Sequence, residues 1–266
     1  MTHTARIGVV LSSGGGRGVY AHTGFLLALQ KLGIEVSAIA GCSAGALVGG
    51  IAASGADLNK WSDTIASVKT REYWTPDSWL EFICMMASAA MPLLYRPVQI
   101  EGGLYTDGAV IELAPTEAIC CKHGLDALIV HHSAVHREGG EGMAWAMKQP
   151  WSLIEILYLL LYRHRPWYLS DQPLTFHRCP HGCGASIIVL ECDLPDLVWP
   201  LNSGGSKLQA AAMYETLTRL QPFAEMLIGD PRRLPLPRTG EEHAATQTDR
   251  LDVCHEPEHG KDHHEC

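Results

Sequence analysis

The sequence predicts an α/β fold, a three-layer sandwich with helices on both faces of a mostly parallel central sheet. Three observations carry that expectation. Residues 7–11, 36–40 and 126–130 are apolar runs of strand length. Helical periodicities follow the first two runs, which gives the alternating rhythm of parallel crossover units. The turns between strand and helix are rich in glycine and serine, at Gly14-Gly15-Gly16 and at Gly41-Cys42-Ser43-Ala44-Gly45.

Taken in order, residues 7–11 read as a buried strand that ends at the polar Ser12-Ser13. A helix is expected from near Val19, because Ala21, Phe25, Leu29 and Leu32 share a face, and Gly33 stops it. The strand at 36–40 turns sharply into a helix over 44–53. Asp57 caps a further helix to about Val68. The spacing predicts another helix over 76–91, opened by Pro76 and closed before Pro92. Residues 98–105 read as one or two short strands, and 114–123 as a helix ended by Gly124. A strand at 126–130 follows. Farther on, 185–190 is strand-like, and Ala210, Met213, Leu217 and Leu220 define a helix over 207–220.

The 266 residues are 47% hydrophobic, enough for a core, and only 18% charged. Both values suit a globular domain with some apolar surface. We expect one folded domain over 1–230 and a flexible Glu- and His-rich tail over 231–266. From 233 onward the chain carries eight acidic against four basic residues and five histidines, so the tail holds four of the nine net negative charges. No basic footprint for nucleic acid is present. Nine cysteines, an odd number with Cys120 and Cys121 adjacent, fit reduced thiols better than a disulfide framework. The polar start runs into the first strand with no apolar signal segment, and no apolar run reaches bilayer length. A cytoplasmic location is therefore the expectation.

The chemistry concentrates in three motifs. Gly41-Cys42-Ser43-Ala44-Gly45 places a serine between two glycines at a strand-to-helix turn, where its hydroxyl stands clear of the backbone. The alternative is a glycine-rich turn with a capping serine. Gly14-Gly15-Gly16-Arg17-Gly18 lies between the first strand and helix, where free amides can converge on an oxyanion. The same loop could cradle a phosphate, but it matches neither the dinucleotide nor the P-loop spacing. Asp107, before Gly108-Ala109 and 64 residues after Ser43, is either a base within reach of the serine or an Asx-turn residue.

In this order, the glycine loop, the GxSxG box and Asp107-Gly108-Ala109 resemble patatin-like phospholipases over roughly residues 6–133. The resemblance implies a patatin-like α/β fold and a serine–aspartate dyad that hydrolyses lipid acyl esters. By motif, Ser43 would be the nucleophile and Asp107 the base. Gly14, Gly15, Gly16 and Arg17 would form the oxyanion hole. The implied substrate is a phospholipid or lysophospholipid, with no cofactor and no metal. Acyl transfer on the same dyad, or a catalytically weak membrane- or protein-binding module, are the alternatives. The 64-residue interval leaves little chain for a lid.

Trp79, Phe82, Ile83 and Met86 are candidates for acyl-chain contact, although such a stripe also serves as core. Residues 151–167 fit either a buried helix or a peripheral helix on a membrane surface. His22 reads as structural, and His131-His132 as packing or cleft residues. His177, Cys179, His181 and Cys183 could on paper surround zinc, but with no second distant pair implied a free-thiol loop is the expectation.

Overall fold

The computed structural model describes residues 4–67, 83–84, 87–90, 96–133, 172–195 and 204–235. The chain divides into two units, Met1–Leu236 and Pro237–Cys266, and the second lies outside the described residues. The expected helix over 76–91 falls largely outside them, as do residues 151–167 and nearly all of the expected tail. Pro231 and Leu234, just beyond the expected boundary at 230, are buried.

Among the described residues, seven strands form two sheets. The central sheet contains β1 (Ile7–Leu11), β2 (Val36–Gly41), β5 (Ala127–His132), β6 (Leu174–Arg178) and β7 (Ser186–Glu191), in the order β2-β1-β5-β7-β6. All neighbours pair in parallel except β6, which runs antiparallel to β7 at the edge. The mostly parallel α/β sheet agrees with the sequence expectation. Strand β6 was not anticipated, because its Thr, His and Arg content resembles loop more than strand.

Alternation along the strands separates two apolar layers, since successive side chains point to opposite faces. Val9, Leu11, Ile129, Ile188 and Leu190 join one core with Phe25, Leu29, Val48, Ile65 and Leu208. These last residues come from α1 (Gly15–Lys31), α2 (Ala44–Ala53), α3 (Leu58–Ser67) and α5 (Gly205–Leu220). Val10, Leu128, Val130, Ile187 and Val189 face the other way, onto Ala114, Ile119 and Leu125. The strands buried on both faces explain the continuous apolar runs in the sequence.

Helix α1 begins four residues earlier than expected. Gly18 N–H donates to the Gly14 carbonyl at 2.8 Å, so the glycine loop is itself the first helical turn. The glycines carry no apolar periodicity, and the sequence pattern therefore missed that turn. Arg17 helps hold it: Nε reaches the Ser133 carbonyl at 3.1 Å, and the two terminal nitrogens reach Pro195 and Leu194 carbonyls. Asp57 caps α3 as expected, its Oδ1 accepting from Asn59 N–H at 2.9 Å.

Residues 98–105 form an antiparallel hairpin, β3 (Val98–Ile100) and β4 (Gly103–Tyr105). Its two turn residues, Glu101 and Gly102, both have positive φ, the signature of a tight hairpin turn whose twist matches the strands. The helix expected over 114–123 shrinks to α4 (Thr116–Ile119). Cys120 turns extended and Cys121 takes φ 63°, which breaks the helix well before Gly124. A short helix, α6 (Ala224–Gly229), follows α5.

Candidate active site

Ser43 sits where β2 turns into α2, at the C-terminal edge of the sheet, the usual place for ligands in an open parallel sheet. Its φ of 53° and ψ of −117° are sparsely populated for a residue with a side chain. The two flanking glycines explain how this turn is possible. A β-carbon on Gly41 would strike the carbonyl of Gly45, and one on Gly45 would strike the Leu11 carbonyl of β1. The turn is therefore packed backbone against backbone, with the serine projecting from it.

Asp107 is 1% exposed and Ser43 7%, so the carboxylate is sealed from bulk water while the serine keeps a narrow opening. Asp107 Oδ1 accepts from Ala109 N–H at 3.0 Å and from the Cys42 thiol at 3.6 Å. Burial and the Asp107 charge push the Cys42 thiol upward from its ordinary pKa. Cys42 thus remains a protonated donor to the carboxylate. Asp107 Oδ2 has no hydrogen-bond partner although it is buried. Among the described residues, no hydrogen bond joins Ser43 Oγ to Asp107. The carboxylate is oriented through one oxygen and leaves the other open.

Residues 87–90 connect the two. Ser88 Oγ accepts the Ser43 N–H at 3.0 Å. Two positions on, the Ala90 carbonyl accepts Asp107 N–H at 3.0 Å and the Thr106 hydroxyl at 2.7 Å. One short segment therefore fixes the backbones of both residues. Neither Ser88 nor Cys42 stands out in the sequence as an orienting group, since a lone serine and a variable GxSxG position carry no spacing signal.

The glycine loop faces this turn. Gly18 packs on α2, where a β-carbon would lie 2.8 Å from Ala44 Cβ. The N-termini of α1 and α2 thus converge beside Ser43. Gly15 and Gly16 are exposed, Gly14 and Arg17 half-buried, and no side chain caps α1. First-turn amides lack intrahelical acceptors, so this end is positive and rich in donors. Of the expected acyl-contact residues, Ile83 is half-buried, while Trp79, Phe82 and Met86 lie outside the described residues. Leu104, Tyr105 and Ile111, which flank Asp107 in the chain, are exposed at 74%, 50% and 93%.

The comparisons bear on this geometry. Residues 9–83 match the patatin-like phospholipase family. That patatin-like segment runs from β1 through the glycine loop and Ser43, and the mixed α/β architecture with a largely parallel sheet agrees with the patatin-like fold. Lysophospholipase NTE1 of Cryptococcus neoformans is 51% identical over 53 residues, 20% of this chain and 3% of the relative. An uncharacterised NTE family protein of Mycobacterium tuberculosis is 50% identical over 50 residues, 19% of this chain and 14% of the relative. Lysophospholipase nte1 of Emericella nidulans is 46% identical over 52 residues. The match thus spans a small fraction of these curated relatives. Among the described residues, no helix is long and apolar enough to cross a membrane.

The nearby histidines are fully buried and already engaged. His22 Nε2 donates to the Ser12 carbonyl at 2.7 Å, and its Nδ1 lies 2.8 Å from His131 Nδ1. His131 stacks on Phe25 with ring centroids 4.3 Å apart. This hydrogen-bonded pair matches the structural reading of His22 and leaves it no open nitrogen for a serine.

The pair makes a stability prediction. Burial pulls the His22 pKa down to about 4, against a smaller opposing effect of the Ser12 carbonyl. His131 is lowered well below the ordinary histidine range, first by burial and then by His22 and His132. Because the folded pKa lies below the unfolded value, the unfolded chain takes up protons first as pH falls. Stability should be level above the ordinary histidine pKa, then fall as pH drops from about 6.5 toward 4. His22 alone accounts for about 3 kcal/mol across that window. Urea unfolding at pH 7.5, 6 and 5 checks this, and equal stabilities at all three would contradict it.

Proposed function

We propose that this chain is a serine hydrolase that cleaves carboxylic ester bonds of lipids through Ser43 and Asp107. A phospholipid or lysophospholipid is the substrate class. The observation that carries this reading is the open Oδ2 of buried Asp107, in a carboxylate whose backbone is tied by residues 87–90 to the strained Ser43 turn. An unpartnered buried acceptor costs stability, and such strain is characteristic of functional sites.

In the first step Asp107 Oδ2 accepts the Ser43 hydroxyl proton as Oγ attacks the ester carbonyl carbon. The carbonyl oxygen takes the negative charge, and the amides of Gly14, Gly15, Gly16 and Arg17 at the head of α1 stabilise it. The tetrahedral adduct collapses, the C–O bond to the alcohol breaks, and the alcohol leaves with the proton from Asp107. Water then attacks the acyl-serine with Asp107 as base, which releases the fatty acid and restores both residues.

The apolar rim of Leu104, Tyr105 and Ile111 supports a substrate delivered from a lipid surface, by peripheral contact. We assign acyl-chain contact to Ile83, and outside the described residues to Trp79, Phe82 and Met86. The catalytic domain extends past the expected boundary at 230 to include the buried Pro231 and Leu234, with the remainder a tail, and the protein acts in the cytoplasm.

A fluorophosphonate probe tests the serine directly. We expect covalent labelling at Ser43, mapped by peptide mass, and none after Ser43→Ala. Absence of labelling in the folded, unmodified protein would sink the proposal.

A further inference from the structure

At the end of the sheet opposite Ser43, four cysteines meet that the acyl-hydrolase reading does not use. Cys120 and Cys121 follow α4, and Cys179 and Cys183 lie in the loop between β6 and β7. All four sulfurs lie within 4.8 Å of one another. The close pairs are Cys120–Cys179 at 3.2 Å, Cys121–Cys179 at 3.3 Å, Cys120–Cys121 at 3.9 Å and Cys120–Cys183 at 4.0 Å. We propose that Cys120, Cys121, Cys179 and Cys183 form a tetrahedral thiolate site for one zinc ion.

The spacing suits one ion. With Zn–S bonds of about 2.3 Å, the sulfurs of a regular tetrahedron stand about 3.8 Å apart, within the range observed here. All four cysteines are free thiols, with no disulfide between them. Thiolate ligands exclude magnesium and calcium, which take oxygen, and favour zinc or iron–sulfur centres. A multi-iron cluster has to be surrounded from farther out, whereas these sulfurs are drawn around a single point.

The backbone is shaped toward that point on both sides. Cys121 has φ 63°, one of only three non-glycine residues with positive φ among the described residues. This conformation costs energy for a residue with a β-carbon. It brings the Cys121 sulfur beside that of its own sequence neighbour and breaks the helix there. Across the gap, Gly182 and Gly184 also take positive φ, and Gly182 N–H closes a tight turn on the Cys179 carbonyl at 3.2 Å. The two histidines that sequence alone offered as ligands are elsewhere. His177 Nε2 bonds Thr175 Oγ1 at 3.0 Å, and His181 Nε2 is 3.8 Å from Glu117 Oε1. The missing distant pair is Cys120-Cys121.

Four protein ligands close the shell, so the ion would have a structural and not a catalytic role. It would tie α4 to the β6–β7 loop across the 58 residues that separate Cys121 from Cys179. Binding replaces four S–H bonds by four Zn–S bonds, releases four protons to solvent and involves no electron transfer.

The test uses the full chain purified from zinc-supplemented cells and dialysed. We expect one zinc per chain by elemental analysis, lost in Cys179→Ser/Cys183→Ser and kept in Cys254→Ser/Cys266→Ser, which removes the tail thiols. Chelation should lower the melting temperature of the unmodified protein. Cobalt exchanged into the unmodified chain should show the intense visible bands and thiolate charge transfer of a tetrathiolate centre. That result stands even where the cysteine variant does not fold, because among the described residues no other group of thiols lies close enough to share an ion. Zinc-free protein, zinc lost only with the tail variant, octahedral cobalt, or a disulfide among the four would each overturn the proposal.

Discussion

Replacing Ser43 by alanine should lower kcat/KM toward a short-chain aryl ester or a lysophospholipid by roughly 10⁴-fold or more, as expected when a nucleophile is removed from a concerted set. Asp107→Asn should cost nearly as much, and it is the more informative variant. The asparagine oxygen can still accept from Ala109 N–H, which fixes the amide nitrogen on the side now occupied by the open Oδ2. That nitrogen donates and cannot accept, so the serine loses its base while the turn keeps its shape. The same substitution removes a buried charge with an unpartnered oxygen, so stability should hold or rise. Activity measured beside the thermal midpoint separates the outcomes. A large loss of rate with an unchanged or higher midpoint supports the base assignment. A variant that keeps its activity with an unchanged or higher midpoint would make Asp107 a turn residue.

The sequence disclosed the Ser43 end of the molecule more readily than the cysteine end, for physical reasons. Ser43, the glycine loop and Asp107 each belong to a local motif, and strands β1, β2, β5 and β7 announce themselves through continuous apolar runs. What was not legible depends on contacts distant in sequence. Ser88 reaches the Ser43 amide from 45 residues away, and Cys120-Cys121 meets Cys179 and Cys183 only through the sheet order that sets β5 beside β7 and β7 beside β6. The early start of α1 was hidden because glycine disfavours helix in isolation. There the turn is imposed by the carbonyls that hold Arg17. The early end of α4 was equally hidden, since nothing in a Cys-Cys pair announces a positive φ.

The tightest constraint on the site is steric, and it gives the second large expected effect. Gly45→Ala places a β-carbon against the backbone of Leu11, the last residue of strand β1, and of Ser12 just after it. Neither atom set is the end of a flexible side chain, so the conflict can be relieved only by moving α2 away from the sheet. Overpacking of this kind costs about 3 kcal/mol. Because Ser43 heads α2, the displacement also carries the nucleophile away from Asp107 and from the α1 amides, and a shift of an ångström suffices for about a hundredfold loss of rate. Gly55→Ala is the control. Gly55 has a positive φ of 79°, which Gly45 lacks, but nothing lies within 4 Å of a β-carbon there. It should cost only the backbone strain, about 1 kcal/mol, and leave turnover unchanged. A Gly45→Ala variant no more destabilised than Gly55→Ala would mean that the close approach of α2 to β1 does not set the requirement for glycine at position 45.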